Sequence, residues 1–332
     1  MSKKIKIAIN GFGRIGRAAF KVALDNPEVE IVGINDLADL QAIAHLLKYD
    51  SVYGVYPKEI KIKGQALVID GKTYPVSQEK EPEKLPWRKL GVLVVLECTG
   101  IFTTSVDAKK HLAAGAEKVI ISAPAKDETP IYLLGINERD YQGEKVISMG
   151  SCTTNCIAPV MKVMSEKFGV LKSLLTTVHS YTADQNLIDN QHRDLRRARA
   201  AGVNIVPTTT GAAITVAKVI TELKGNFDGL SVRVPTPIVS LSDIVLVTQK
   251  KVTLESVNQA LKTASQSKEL LGILTVTDEP LVSTDFIGNP ASAIVDLSLT
   301  KVIGGDLVKI IAWYDNEWSY ANRLVEMAKI IN

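Results

Sequence analysis

The sequence is short of three things. It has only three cysteines, Cys98, Cys152 and Cys156, in 332 residues, an odd and sparse set that excludes a disulfide framework and points to a reducing, cytoplasmic setting. It has no long apolar run: none, 92–96 included, exceeds five residues against the roughly 18 that a membrane span requires. That excludes a membrane protein, and nothing resembles a lipid anchor. It has almost no charge imbalance, since 39 Lys+Arg against 36 Asp+Glu leave a formal charge of +3. An acidic solvating tail is excluded and dedicated nucleic-acid binding is not expected, while small anionic ligands stay open. The opening MSKKIKIAING passes straight into strand-like alternation, so no secretory leader is expected.

What is present is apolar and patterned. With 46% apolar residues, a chain of this length fills about two domains, each able to bury its own core. In the first half short β-rich runs alternate with helical spacing: a strand over 4–10, a helix over 15–24, a strand over 30–35 and a helix over 40–47. This order builds a parallel sheet. The runs 92–97 and 118–122 are almost continuous in Val, Ile and Leu, as strands covered on both faces are, and a helix is expected between them over 106–114, ended by Gly115. The segment 77–90, with Lys80, Pro82, Lys84, Pro86 and Lys89, reads as a charged surface loop. Beyond residue 150, alternating runs at 171–182, 230–235, 243–250 and 307–313 imply a largely antiparallel sheet, with helices at 157–168, 212–223, 254–265 and 319–331. The expected fold is α/β plus α+β. An N-terminal Rossmann domain, a doubly wound and mainly parallel sheet, covers 1–150 with the C-terminal helix 317–332, and a catalytic domain on a largely antiparallel sheet covers 151–316.

Gly11, Gly13 and Gly16 form G-F-G-R-I-G between the first strand and the first helix. There the glycines allow a tight turn and close approach to a pyrophosphate, and the helix N-terminus offers N–H groups to it. Asp36, 20 residues past Gly16 at the end of the second strand, can accept from both ribose hydroxyls and favours NAD over NADP. The strand ends 98–100 and 122–124 should line the same crevice. Cys152 precedes the apolar periodicity of Ile157, Val160, Met161, Met164 and Phe168 and so falls at a helix N-terminus, which should lower its thiol pKa. Cys156 reads as packing, and Pro159 as a bend or a lost backbone bond in that helix. A cysteine nucleophile needs a base. Of four histidines, His45 and His111 lie inside predicted helices and His192 in an arginine-rich stretch, which leaves His179. Arg193, Arg196, Arg197 and Arg199 crowd one segment, Arg233 follows, and 207–211 looks like another helix N-terminus. Arg197 and Arg233 are expected to hold phosphate, the other three to face solvent.

The blocks NGFGRIGR, ECTGIFT, HLAAGAEKVIISAPAKD, SCTTNCIAP, TVHSYTADQ, HRDLRRARA, PTTTGAA, RVPTP and WYDNEWSY follow one another along the chain. Over its whole length it closely resembles phosphorylating glyceraldehyde-3-phosphate dehydrogenase. The resemblance implies that Cys152 attacks the aldehyde of D-glyceraldehyde 3-phosphate, that the thiohemiacetal passes a hydride to NAD, and that inorganic phosphate cleaves the thioester to 1,3-bisphosphoglycerate. His179 would be ion-pair partner and base. Thr182 and Arg233 match the pocket for the substrate's own phosphate. Ser151, Thr153, Thr210 and Gly211 match the site of the attacking phosphate, with Arg197 near both. Gly11, Arg14, Ile15, Asp36, Lys80 and Ser122 match dinucleotide contacts, and Asn316 the residue that orients the nicotinamide carboxamide. A homotetramer is implied, with the loop around 181–207 against a neighbour's cofactor, and no metal.

The chain departs from the family pattern at Met149-Gly150, usually Asn-Ala, which removes a side-chain amide near the nucleophile. Lys80 replaces a common arginine, keeping charge and losing the planar fork. Gln191 stands where NAD-specific members often have proline, and Ile214 and Ser319 where lysine and glycine are usual. Three rivals use the same residues: erythrose-4-phosphate dehydrogenase with hydrolytic deacylation, a Cys-His thiol hydrolase that leaves the dinucleotide fingerprint unused, and a non-catalytic NAD-binding sensor.

Overall fold

The computed structural model describes residues 4–332, and the first three residues of the expected first domain lie outside the described residues. One unit runs to Tyr132, takes up again over Glu138–Gly150 and closes with Tyr320–Asn332, and the other holds Leu133–Asn137 and Ser151–Ser319. Two short segments therefore sit differently from expectation. Residues 133–137 go with the second unit because the Gly135 carbonyl accepts from Lys162, and a Cβ on Gly135 would lie 2.8 Å from Leu270. The start of the last helix stays there because the Asp315 carboxylate accepts from the Glu317 and Trp318 N–H groups.

In the first unit eight strands follow one another across the sheet in the order 146–148, 118–121, 94–97, 5–10, 29–35, 72–77, 66–69 and 60–62. The first six are parallel. The last two form an antiparallel edge for which the sequence pattern gave no sign. The strand Ile5–Asn10 lies where the order reverses, the place at which open parallel sheets bind ligands. Its Ile7, Ala8 and Ile9 are fully buried, as are Val94, Val95 and Leu96 beside it. The segment 77–90 is not the surface loop its charges predict. It contains the short helix Trp87–Leu90, and it sinks Leu85 and Trp87 into a core with Val92, Ala108 and Val119, because burying an indole outweighs keeping a few flanking lysines in one conformation.

In the second unit the strand order is 206–209, 227–234, 170–180, 240–248, 307–314, 293–296 and 274–277. Neighbours are antiparallel except for 170–180 with 227–234 and 274–277 with 293–296. The helix Cys152–Phe168 is buried almost all round from Thr153 to Met161 and contains Pro159 without interruption. The predicted 212–223 helix resolves into Ala212–Val219 and a 3-10 turn Thr221–Leu223, whereas Leu254–Ser265 matches its prediction. Among the described residues no helix is long and apolar enough to cross a membrane.

Candidate active site

In the first unit the strand Ile5–Asn10 turns at once into the helix Arg14–Asp25. Gly11 has φ +88°, and a Cβ there would lie 2.6 Å from the Thr99 nitrogen; a Cβ on Gly16 would lie 2.0 Å from the Gly11 carbonyl oxygen. Both positions demand glycine for backbone-to-backbone packing. At Gly13, the N-cap, a Cβ would meet nothing within 4 Å, and no side chain caps the helix. This open, uncapped N-terminus is the arrangement that accepts a phosphate.

A cleft of about 570 Å³ opens here, lined by Gly11, Gly13, Asp36, Lys80, Cys98 and Thr99 among others. Asp36 is fixed at its rim, Oδ2 accepting from Phe12 N–H at 2.6 Å and Oδ1 from Ala38 N–H at 2.9 Å. Arg14, Ile15 and Ser122 do not line the cleft. The Arg14 guanidinium is instead paired with Asp50 at 3.0 Å, and of the two strand ends expected in the crevice only 98–100 reaches it. Beneath the cleft lies a polar network that sequence reasoning missed. Trp87 Nε1–H donates to His111 Nδ1 at 3.0 Å, which puts the ring proton on Nε2 facing the Glu97 carboxylate at 3.0 Å. Asn10 donates to that same carboxylate at 2.6 Å and accepts from Asn35 at 2.7 Å. His111 is therefore structural, and the signal was Glu97, an acid that ends an otherwise apolar strand.

In the second unit the Ser151 hydroxyl accepts from Thr154 N–H at 3.1 Å, and the Thr154 hydroxyl accepts from Ser151 N–H at 3.2 Å. This box starts the helix at Cys152. The sulphur lies 3.6 Å from His179 Nε2. Parallel pairing sets His179 opposite Arg233, and Nδ1 lies 2.7 Å from the Ser180 carbonyl oxygen and 2.8 Å from Arg233 Nη1. That oxygen, which also accepts from Arg233 at 3.1 Å, requires a proton on Nδ1. The guanidinium thus crowds Nδ1 without bonding to it, and Nε2 turns its lone pair toward the sulphur.

Burial pushes the Cys152 thiol above its ordinary pKa, with Arg233 and the Thr153 N–H pulling back. Burial and Arg233 push His179 down to about 3. The expected lowering of the thiol pKa is therefore reversed, because desolvation outweighs the helix terminus. At 3.6 Å the two groups titrate as one: thiol with imidazole, or thiolate with imidazolium, carry the same number of protons. Among the described residues Arg233 has no carboxylate within ion-pairing distance, and its Nε is buried without a partner.

The remaining predicted residues are distributed unevenly. Arg197 is held by Asp184, by Thr208 at 2.9 Å and by the Thr209 carbonyl at 3.3 Å, on the strand that pairs with the Arg233 strand. Thr210 accepts from Ala212 N–H at 3.2 Å, and Gly211 caps the helix Ala212–Val219. Thr182 lies two residues past Ser180. Thr153 is buried with its hydroxyl 2.8 Å from Tyr314 Oη, and its backbone N–H lies in the first turn of the helix. Tyr314 was missed: it also meets Thr177 at 2.9 Å and sets its ring edge-on to His179, and the only hint was its place two residues before Asn316. Asn316 Oδ1 accepts from the Ser180 and Ser240 hydroxyls, both at 2.9 Å. Of the departures from pattern, Met149 is fully buried, Gly150 has φ +61°, a glycine conformation, and Ile214 is exposed; nothing in the structure explains Ser319.

Comparison with known proteins gives the family. A family profile described as the NAD binding domain of glyceraldehyde 3-phosphate dehydrogenase matches residues 5–105, and one described as its C-terminal domain matches 151–316. The glyceraldehyde-3-phosphate dehydrogenase of Geobacillus stearothermophilus is 52% identical over 98% of both chains, and glyceraldehyde-3-phosphate dehydrogenase 1 of Bacillus subtilis is 53% identical over the same share. A chloroplastic relative from Arabidopsis thaliana is 50% identical over 99% of this chain and 84% of its own. With the profiles of both domains matched and such identity along nearly its full length, the chain belongs to the glyceraldehyde-3-phosphate dehydrogenase family.

Proposed function

We propose that the chain oxidises D-glyceraldehyde 3-phosphate with NAD and inorganic phosphate to 1,3-bisphosphoglycerate, by way of a thioester on Cys152. The observation that carries this reading is Arg233, a guanidinium without a carboxylate set in register beside the base of a Cys-His pair. A cation so placed needs an anionic ligand, and a sugar phosphate brings one to the nucleophile.

Cys152 attacks the aldehyde carbon as its proton passes to His179 Nε2, and that proton then goes to the new alkoxide, giving the hemithioacetal. Nε2 takes the proton back as this adduct is oxidised, while the Cys152 N–H at the helix start stabilises charge on oxygen. Bound NAD supplies the two-electron acceptor for this oxidation. Gly11, Gly13, Asp36 and Lys80 would hold it, a reading supported by the open space at Gly13 and by the fixed Asp36 carboxylate, with Asn316 orienting the carboxamide. Arg233 and Thr182 would grip the substrate phosphate. Ser151, Thr210, Gly211, Arg197 and the Thr153 backbone would place the second phosphate, whose oxygen attacks the thioester carbon and releases the Cys152 sulphur. NADH formation from glyceraldehyde 3-phosphate should depend on inorganic phosphate or arsenate. Turnover indifferent to either would convert the reading to a hydrolytic enzyme.

The same reading makes the chain a cytoplasmic homotetramer. Three unpaired cysteines suit a reducing compartment. One face of the second unit's sheet carries Leu174, Leu230 and Leu307 exposed, and the loop 181–207 exposes Leu187, Ile188, Leu195, Val203 and Ile205, apolar surface of the kind that contacts between chains cover. Light scattering should read four chain masses, and one chain mass would refute it.

A further inference from the structure

We propose that Ser180 and Ser240 are positioning residues that lock the Asn316 amide in one orientation and thereby set the chain's preference for a nicotinamide over a bare ribose. The inference rests on the NAD reading above and concerns residues that reading does not use.

Three strand ends converge here. Ser180 closes the strand Val170–Ser180, Ser240 opens Ser240–Thr248, and Asn316 follows Leu307–Tyr314; Ser180 and Ser240 are buried, and Asn316 is 6% exposed. The Ser240 hydroxyl accepts from Ser180 N–H at 3.2 Å. With that lone pair engaged, its own proton must find an acceptor, and the acceptor is Asn316 Oδ1 at 2.9 Å. The Ser180 hydroxyl donates to the same oxygen at 2.9 Å. Turning the amide over would set Nδ2 against both hydroxyls and leave two buried hydroxyl protons without acceptors. The amide is therefore fixed with Oδ1 inward, and Nδ2 keeps both protons for a ligand.

The backbone entering Ser240 is strained to achieve this. Val239 has φ +66°, and Asp70 is the other non-glycine residue with positive φ among those described. A buried, β-branched side chain in the left-handed region is held there only when its surroundings over-determine it, and such strain collects at functional sites.

The test compares binding of NAD with binding of ADP-ribose, which lacks the nicotinamide, by titration calorimetry. Ser240→Ala, and separately Ser180→Ala, should raise the Kd for NAD roughly three- to tenfold, the worth of one ordered hydrogen bond, with the Kd for ADP-ribose unchanged. In an Asn316→Ala background neither substitution should change the NAD Kd further. Equal weakening of both ligands, an unchanged NAD Kd, or an effect that persists without Asn316 would overturn the positioning role. A wild-type chain that binds ADP-ribose and NAD equally would instead overturn the assignment of Asn316 to the nicotinamide, and one that binds neither would overturn the NAD reading itself.

Discussion

Cys152→Ser is expected to slow phosphate-dependent NADH formation at least about a thousandfold, a loss of roughly 4 kcal/mol of transition-state stabilisation, while leaving NAD affinity unchanged. The size follows from chemistry. A serine hydroxyl is far less acidic than a thiol, so the proton transfer to His179 that readies the sulphur has no counterpart, and an ester in place of a thioester resists attack by phosphate. The fold should hold because the exchange is nearly isosteric and the helix is started by the Ser151 and Thr154 box, not by the thiol. Cys156 cannot substitute, being fully buried with its thiol pushed well up by that burial. Steady-state rates for both proteins, with NAD titrated in parallel, check this. A variant within about tenfold of wild type would show that the sulphur forms no covalent intermediate.

Much of this site is legible along the chain, because its parts are local. Glycine spacing after a strand, a carboxylate at the next strand end and a cysteine before an apolar helical period each rest on backbone geometry over a few residues. What joins the parts is not local. The parallel pairing that sets His179 against Arg233 links positions 54 residues apart, and alternation within two strands carries no sign of their relative direction. Thr153 reads as a phosphate ligand because its type and position fit; its hydroxyl also meets Tyr314, a partner 161 residues away on a strand. The thiol pKa failed for the same reason. A helix N-terminus can be read from sequence, but the depth at which the fold buries it cannot, and here depth decides the sign. The charged segment 77–90 misled in the opposite way, since Leu85 and Trp87, with Pro82 and Leu90, anchor it in the core despite its charges.

His179→Asn is expected to lower kcat about a hundredfold to ten-thousandfold, the usual worth of a placed acid-base group, and to leave the pH profile of Cys152 alkylation nearly unchanged, which a folding defect would not. In the wild-type chain the thiol stands above its ordinary value and the imidazole at about 3, so across neutral pH the pair holds one proton. With the thiol high and the imidazole low that proton rests on Sγ, and Nε2 takes it only as the carbon–sulphur bond forms. The rate of alkylation by iodoacetamide should therefore follow free thiolate, with roughly 1% thiolate or less at pH 7 because burial holds the thiol high, and rise about tenfold per pH unit through the neutral range. Asparagine leaves that thiolate nearly unchanged and removes only the acceptor used in turnover, so alkylation and kcat should separate. A variant that keeps its kcat would place the base on another residue. A wild-type rate that is flat through neutrality and becomes steep in His179→Asn would mean that the proton already lies on Nε2 before the aldehyde arrives.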